Sequence, residues 1–277
     1  MQKQNNPLVS VLMTAYNAEK YIGLAIESIL NQTYKNFEFI IIEDCSTDKT
    51  WNIIQRYVKK DKRIIATKNE VNLNAGGSSN KGLKLCKGKY IVRMDADDWS
   101  YPDRIEKQVK YMETNNDIVC SGGTLLNCDE QLQPYGVRKY ALEHKDIIKQ
   151  ILQFNPVPHP ASIWRKDILD KTHGYPPKLG MSEDYALTLE ISQYGNLGNI
   201  EDELIKYRIH KKSASNAKMS YQQAITVYLS FKGQFEYKFK PKFKDHFWRI
   251  LQILTMYTIP APLKRSLFNL MIQKKKK

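Results

Sequence analysis

Lys89-Tyr-Ile-Val-Arg-Met-Asp-Ala-Asp-Asp98 carries a largely apolar run, Tyr90 to Met94, that ends abruptly in the carboxylates Asp95, Asp97 and Asp98. β-forming residues bounded by turn residues predict a buried strand of a parallel sheet. Open α/β sheets hold their ligands outside the carboxyl ends of the strands, which is where these acids fall. Acids this close repel one another unless a positive charge lies among them. Mg2+ or Mn2+, sharing its shell between one or two carboxylates and substrate phosphates, meets that need. The alternative is a solvated acidic turn with Asp98 or Ser100 capping the next helix. For the motif alone that is the better reading, and the rest of the chain decides against it.

Working outward, Leu8 to Thr14, Phe37 to Ile42 and Arg63 to Thr67 read as strands, and Tyr21 to Leu30 and Trp51 to Val58 as amphipathic helices. Asn72 to Gly77 reads as a loop, and Ser78 to Cys86 as a helix leading to the Tyr90 strand. This β-α-β-α-β-α-β order with short connections predicts a doubly wound, mostly parallel sheet with helices on both faces. After Pro102 come a helix over Arg104 to Thr114 and an alternating, exposed strand over Ile118 to Leu126. Rigid backbone at Asn155-Pro-Val-Pro-His-Pro160 precedes a strand over Ala161 to Arg165, a helix over Tyr185 to Gln193 and a last strand over Leu204 to His210.

Size and charge narrow the classes. The chain has 277 residues and a formal charge of +14, but 13 Lys/Arg against two acids lie between Lys218 and Lys277. The other 217 residues hold 30 basic and 27 acidic groups, a near-neutral body that argues against a protein built for nucleic acid. Cys45, Cys86, Cys120 and Cys128 have neither C-x-x-C pairing nor zinc spacing and read as reduced, buried thiols of a cytosolic protein. No signal-peptide pattern stands at Met1 to Pro7, and Phe247 to Leu263, broken by Arg249, Pro260 and Pro262, does not span a bilayer.

Polar residues at successive strand ends share one crevice in a parallel topology. Asp44 suits a base N–H edge, Tyr16 a flat ring, and a metal at Asp95-Ala-Asp97 a diphosphate; together they describe a nucleotide-diphosphate site. Taken alone, Asp44 would be a loop acid or helix cap.

Val11 to Asn17, Ile41 to Asp48, Asn72 to Gly82 and Met94 to Asp98 resemble, in order and spacing, the family 2 glycosyltransferases of the GT-A fold. His159-Pro-Ala-Ser, Gly174-Tyr-Pro, Ser182-Glu-Asp-Tyr185 and Tyr207-Arg-Ile-His210 look like that family's acceptor half. The resemblance covers about residues 8–215 and implies a GT-A domain over 1–215, with a nucleotide-binding half (1–100) and an acceptor-binding half (101–215), before a helical basic and aromatic tail (216–277). It implies a metal-dependent, inverting transfer from a UDP-sugar to a glycan or lipid-linked glycan. Asp44 would contact uracil; Thr14, Ala15, Tyr16, Asn17, Asn72, Gly76 and Asn80 would line the donor site, with Asp95 and Ala96 near the ribose or sugar. Asp97 would hold Mn2+ or Mg2+, with His210 a further metal ligand, and Asp184 would be the catalytic base. Glu183 and His159 would face the acceptor, although His159 between prolines reads equally as a packed loop residue, and Glu183-Asp184 alone as an acidic helix start. Ser79 stands where many members carry Arg near the pyrophosphate, leaving Lys81 to compensate.

In the tail, Phe231, Phe235, Tyr237, Phe239, Phe243, Phe247 and Trp248 interleave with Lys232, Lys238, Lys240, Lys242 and Lys244. Such a segment suits the headgroups of an anionic bilayer, and the expectation is peripheral contact at the cytoplasmic face of the membrane. A helical cap packed on the body is the other reading. The rival functions are a nucleotidyltransferase, whose glycine-rich phosphate loop is replaced here by Thr14-Ala-Tyr-Asn, and a non-catalytic nucleotide-sugar or membrane-binding module.

Overall fold

The computed structural model describes residues 6–210, 219–259 and residue 263. Strand and helix alternate at first: β1 (Val9–Ala15), α1 (Ile22–Leu30), β2 (Phe37–Glu43), α2 (Thr50–Val58), β3 (Ile64–Lys68), α3 (Asn74–Leu83) and β4 (Tyr90–Asp95). Next come β5 (Trp99–Ser100), α4 (Arg104–Thr114), β6 (Ile118–Cys128), β7 (Pro134–Arg138) and α5 (His144–Ile148). A single 3-10 turn (His159–Ala161) precedes β8 (Ile163–Arg165), α6 (Lys166–Leu169), α7 (Glu183–Ile191) and β9 (Asn196–Arg208). α8 (Met219–Phe235) and α9 (Phe243–Thr258) form a C-terminal hairpin.

All strands join one sheet in the order β3-β2-β1-β4-β8-β6-β9-β5, with β7 added to β6. β3, β2, β1 and β4 are mutually parallel, as are β6 and β9, while β8 runs antiparallel to both its neighbours. β2 and β3 lie on one side of β1 and β4 on the other. The winding therefore reverses between β1 and β4, and a crevice opens above their carboxyl ends. Thr14 pairs with Asp95, and Ala15 with Glu43, so three strand ends reach it together. Val9, Val11 and Met13 face a core shared with α1, α2 and α4; Leu12, Ile40 and Ile42 face the opposite core, which holds Tyr185 and Leu189 of α7.

Several local expectations are corrected. Ile118 to Leu126 is not an exposed strand, since every residue of β6 is buried. Ile118 joins the core of α4 and Val119 that of α7, so both faces are covered. Two of its positions bond to β9: Gly122 N–H donates to Asn199 Oδ1 (3.1 Å) and Thr124 Oγ1 to the Glu201 carbonyl (2.8 Å), while the Asn127 side-chain amide is buried with no hydrogen-bond partner. The predicted loop over Asn72 to Gly77 winds into α3 from Asn74, and that helix ends at Leu83 rather than Cys86. Its start is organised from outside, because Asp44 Oδ1 accepts the Leu73 N–H at 2.8 Å. The last strand runs from Asn196 to Arg208, and His210 lies beyond it. Cys45 is half-buried, whereas the other three thiols are buried. Lys274 to Lys277 lie outside the described residues, as do 211–218. Among the described residues no helix is long and apolar enough to cross a membrane.

Gly88 marks where the chain enters β4 against β1. A Cβ there would fall 2.5 Å from Ser10 N and 2.7 Å from Val9 C, both backbone atoms that cannot swing aside. Gly88→Ala is expected to destabilise the fold by about 1–3 kcal/mol, read as a lower urea midpoint with an unchanged slope.

Candidate active site

The floor of the crevice is a buried arginine. Arg93, inside β4, is 3% exposed, and its Nη2 lies 2.9 Å from Asp95 Oδ1 and donates to Thr14 Oγ1 at 2.8 Å. Its Nη1 donates to the Leu12 and Met94 carbonyls, each at 3.1 Å, so the ends of β1 and β4 are held to one guanidinium. Beneath it Arg104 of α4, fully buried, donates from Nη2 to the Arg93 carbonyl (2.6 Å) and from Nε to Gln108 Oε1 (3.0 Å). Burial pulls the Arg104 guanidinium down to about 9, against the opposing pull of Asp98 and Asp95, so it stays charged at neutral pH.

The acids divide by environment. Asp98 is fully buried; Oδ1 accepts the Arg208 N–H at 2.8 Å, and Oδ2 has no hydrogen-bond partner. Burial, then Asp97 and Asp95, push the Asp98 carboxyl well above the ordinary range. Asp97 is partly exposed, and its Oδ2 lies 2.9 Å from His210 Nε2. The His210 ring leans on Tyr21 (centroids 4.9 Å apart), Arg208 sits over the Tyr21 ring, and Arg208 Nε donates to the Asp97 carbonyl at 2.6 Å. No cluster of three or more His, Cys, Asp or Glu forms a ready cage among the described residues. The Asp97 carboxylate fits Mn2+ or Mg2+, ions that take oxygen ligands and whose shell phosphate oxygens commonly complete, whereas the His210 imidazole is a donor more at home on softer transition metals.

On the β2 side, Asp44 is 3% exposed, and its Oδ1 accepts both Asn69 Nδ2 and the Leu73 N–H at 2.8 Å. Asn72 Nδ2 donates to the Asp44 carbonyl at 3.1 Å. Beside them Tyr16 is 53% exposed, and Asn17, at φ 48°, exchanges hydrogen bonds with Ser46 and Thr47. Ser79 is buried, and Lys81 Nζ donates to Asn69 Oδ1 at 2.8 Å, which braces the Asp44 layer.

Opposite stands the start of α7. Asp184 Oδ2 accepts Asn155 Nδ2 at 2.9 Å. Glu183 is buried against α3, where a Cβ on Gly76 would come within 3.3 Å of its Cγ. Burial, reinforced by Asp184, raises the Glu183 carboxyl. His159 Nε2 is 2.9 Å from the Tyr175 hydroxyl, and its ring packs edge-on to Tyr175 and against Trp164. Asn80 brackets the Tyr175 backbone, accepting its N–H (2.9 Å) and donating to its carbonyl (2.6 Å). Burial first and Arg93 second depress His159, while Asp184 and Asp95 pull it back. Burial raises the Tyr175 hydroxyl, with Arg93 opposing the shift and Asp184 and Asp95 adding to it. Thus the strand ends, Asp44 through α3, and Asp184 meet at one end of the sheet.

Sequence reasoning passed over Arg93, Arg104, Asn69, Asn155 and Tyr175. A charged residue inside an apolar strand was the available signal for Arg93. Nothing local distinguishes Asn155 or Asn69.

The profile described as Glycosyl transferase family 2 matches residues 10–172. The chain belongs to that family. An uncharacterized glycosyltransferase of Haemophilus influenzae is 39% identical over 251 residues, 82% of this chain and 76% of its own. The O-antigen biosynthesis glycosyltransferase WbnJ of Escherichia coli is 33% identical, covering 80% of this chain and 87% of its own. A third relative, the E. coli UDP-Glc:alpha-D-GlcNAc-diphosphoundecaprenol beta-1,3-glucosyltransferase WfaP, is 47% identical over 39% of this chain and 42% of its own. Among solved structures, S. aureus TarS 1-349 in complex with UDP superposes with TM-score 0.64 at 17% identity over 97% of this chain and 75% of that one. The mannosyltransferase PcManGT of Pyrobaculum calidifontis, in complex with GDP-Man and Mn2+, gives TM-score 0.64 at 14% identity over 98% and 82%. At these identities the two structures speak to the fold alone, which is of GT-A type.

In this family 2 glycosyltransferase the His159 environment makes stability depend on pH. The unfolded ring protonates below its ordinary value of 6.5, while the folded ring resists. The contribution is therefore present above that value and lost as pH falls. His144, depressed by its own burial, acts in the same direction. His159→Gln is expected to flatten the loss of unfolding free energy between about pH 7 and pH 5, measured by urea titration at each pH.

Proposed function

We propose that the chain is a metal-dependent, inverting glycosyltransferase that takes a UDP-sugar and elongates a glycan or lipid-linked glycan at the cytoplasmic face of the membrane. The observation that carries this reading is the β1/β4 switch point, where Arg93 holds Asp95 beside Thr14 and α3 links Asp44 to Glu183 at the start of α7. Asp44 accepts from the uracil N–H, its position set by Asn69 and Leu73, and the exposed Tyr16 ring lies against the base. Thr14, Ala15, Asn17 and Asn72 border the nucleotide; Gly76 and Asn80 shape the α3 wall, and Asp95 and Ala96 face the ribose and sugar. Asp97, paired with His210, would hold Mn2+ or Mg2+, which supplies charge neutralisation to the departing diphosphate. Asp184, its Oδ2 fixed by Asn155, takes the proton of the acceptor hydroxyl as that oxygen attacks C1 from the face opposite UDP. Glu183 and His159 line the acceptor side. The names of WfaP and of the UDP complex of TarS support a uridine donor and a lipid-diphosphate acceptor.

Incubation with a panel of UDP-sugars and a membrane extract, followed by assay of released UDP, tests the reading. Asp184→Asn is expected to lower transfer by about 10²–10⁴-fold while the thermal shift produced by UDP persists; near-normal turnover would remove Asp184 as the base. Chelation by EDTA is expected to stop transfer and Mn2+ to restore it, with Asp97→Asn losing Mn2+ binding by calorimetry. Full activity in chelator would point to a metal-free site.

A further inference from the structure

α9 is amphipathic the wrong way round. Asp245, Trp248, Arg249 and Gln252 form the face turned to the body: Asp245 Oδ1 accepts Gln153 Nε2 (2.8 Å), while Trp248 Nε1 and Gln252 Nε2 both donate to the Gln153 carbonyl. Arg249 donates to Ser230 Oγ (2.8 Å), the Ser230 carbonyl (3.0 Å) and Gln234 Oε1 (2.8 Å) of α8. The opposite face carries Phe243, Phe247, Ile250 and Leu254, whose i, i+4, i+7, i+11 spacing makes one stripe. They are 87%, 56%, 57% and 63% exposed. A surface helix normally turns its apolar stripe inward; here hydrogen bonds hold the polar face inward and, among the described residues, the apolar face is left uncovered. Phe231 and Phe235 of α8 are also exposed, with parallel rings, and Arg249 lies over the Phe231 ring.

We propose that this stripe is a docking surface for an anionic lipid bilayer. The charge around it names the occupant. Lys238, Lys240, Lys242 and Lys244 lead into and flank the first turn of α9, all exposed. A second copy docked stripe to stripe would set two net-basic hairpins against each other, whereas anionic headgroups neutralise the lysines while the aromatic and aliphatic side chains enter the acyl boundary. α8 packs on α7, the helix that starts with Glu183 and Asp184, and the Tyr221 hydroxyl donates to the Leu179 carbonyl just before it. The docked hairpin thus sits beside the acceptor side of the crevice. The inference rests on the proposed function for its purpose, the meeting with a lipid-linked acceptor, and on the hairpin alone for its physics.

Flotation of the full chain with vesicles tests it. Binding is expected to phosphatidylcholine vesicles containing about one third phosphatidylglycerol, not to phosphatidylcholine alone, and to weaken as salt rises. Joint replacement of Phe243, Phe247, Ile250 and Leu254 by Ser is expected to lower the bound fraction about ten-fold with an unchanged thermal melt, since these side chains touch little of the body. In a second variant, Phe243→Trp, indole fluorescence is expected to be quenched by brominated lipid beyond the wild-type level. Wild-type binding by the quadruple variant, or no added quenching of the introduced Trp, would overturn the proposal. So would a lipid-free dimer that the same four replacements dissociate. UDP thermal shifts recorded without vesicles report on the transferase reading separately.

Discussion

A single guanidinium inside the sheet sets the geometry of the crevice. Arg93 ties the last residues of β1 and β4 through the Leu12 and Met94 carbonyls, Thr14 Oγ1 and Asp95. These are the two strands between which the winding reverses, so the arginine fixes the floor of the ligand site at the place where topology opens it. Asp95 is 29% exposed on its side chain and Arg93 4%, so the pair is neither a solvated surface contact nor a fully desolvated one. The arginine satisfies the acid from below and leaves its upper side toward the crevice.

A second constraint is the dual duty of Asp44. It caps the entry to α3 through the Leu73 N–H and anchors Asn69, which in turn holds Lys81. Gly76 then permits α3 to lie within contact of Glu183, and Asn80 grips the Tyr175 backbone. A chain of close contacts therefore runs from the proposed base-reading acid to Glu183, the neighbour of the proposed catalytic base. Movement of α3 would be felt at both ends, which couples donor and acceptor sides through ordinary packing.

The C-terminal hairpin answers a different demand. Its attachment is polar, through Asp245, Arg249 and the Gln153 carbonyl, and its outward face is apolar and basic. The two readings of the tail are thus compatible: the inward face of α9 caps the body, and the proposed bilayer contact would use the opposite face.

Much was legible from residue order alone. The alternation of strands and helices, the carboxylates ending β4, and the register of motifs from Val11 to His210 defined a GT-A type family 2 glycosyltransferase, because strand composition and strand-end chemistry are local properties. Period-two alternation misled at β6, which is buried because both its faces are covered and a strand far along the chain, through Asn199 and Glu201, takes up Gly122 and Thr124. The start of α3 was misplaced for the same reason, its capping group being Asp44. Only tertiary structure could bring Asn155 to Asp184, seat Arg93 beneath Asp95, and turn the apolar face of α9 outward. Sequence pattern records which side chains prefer to be covered; which partners cover them depends on contacts between residues far apart in the chain.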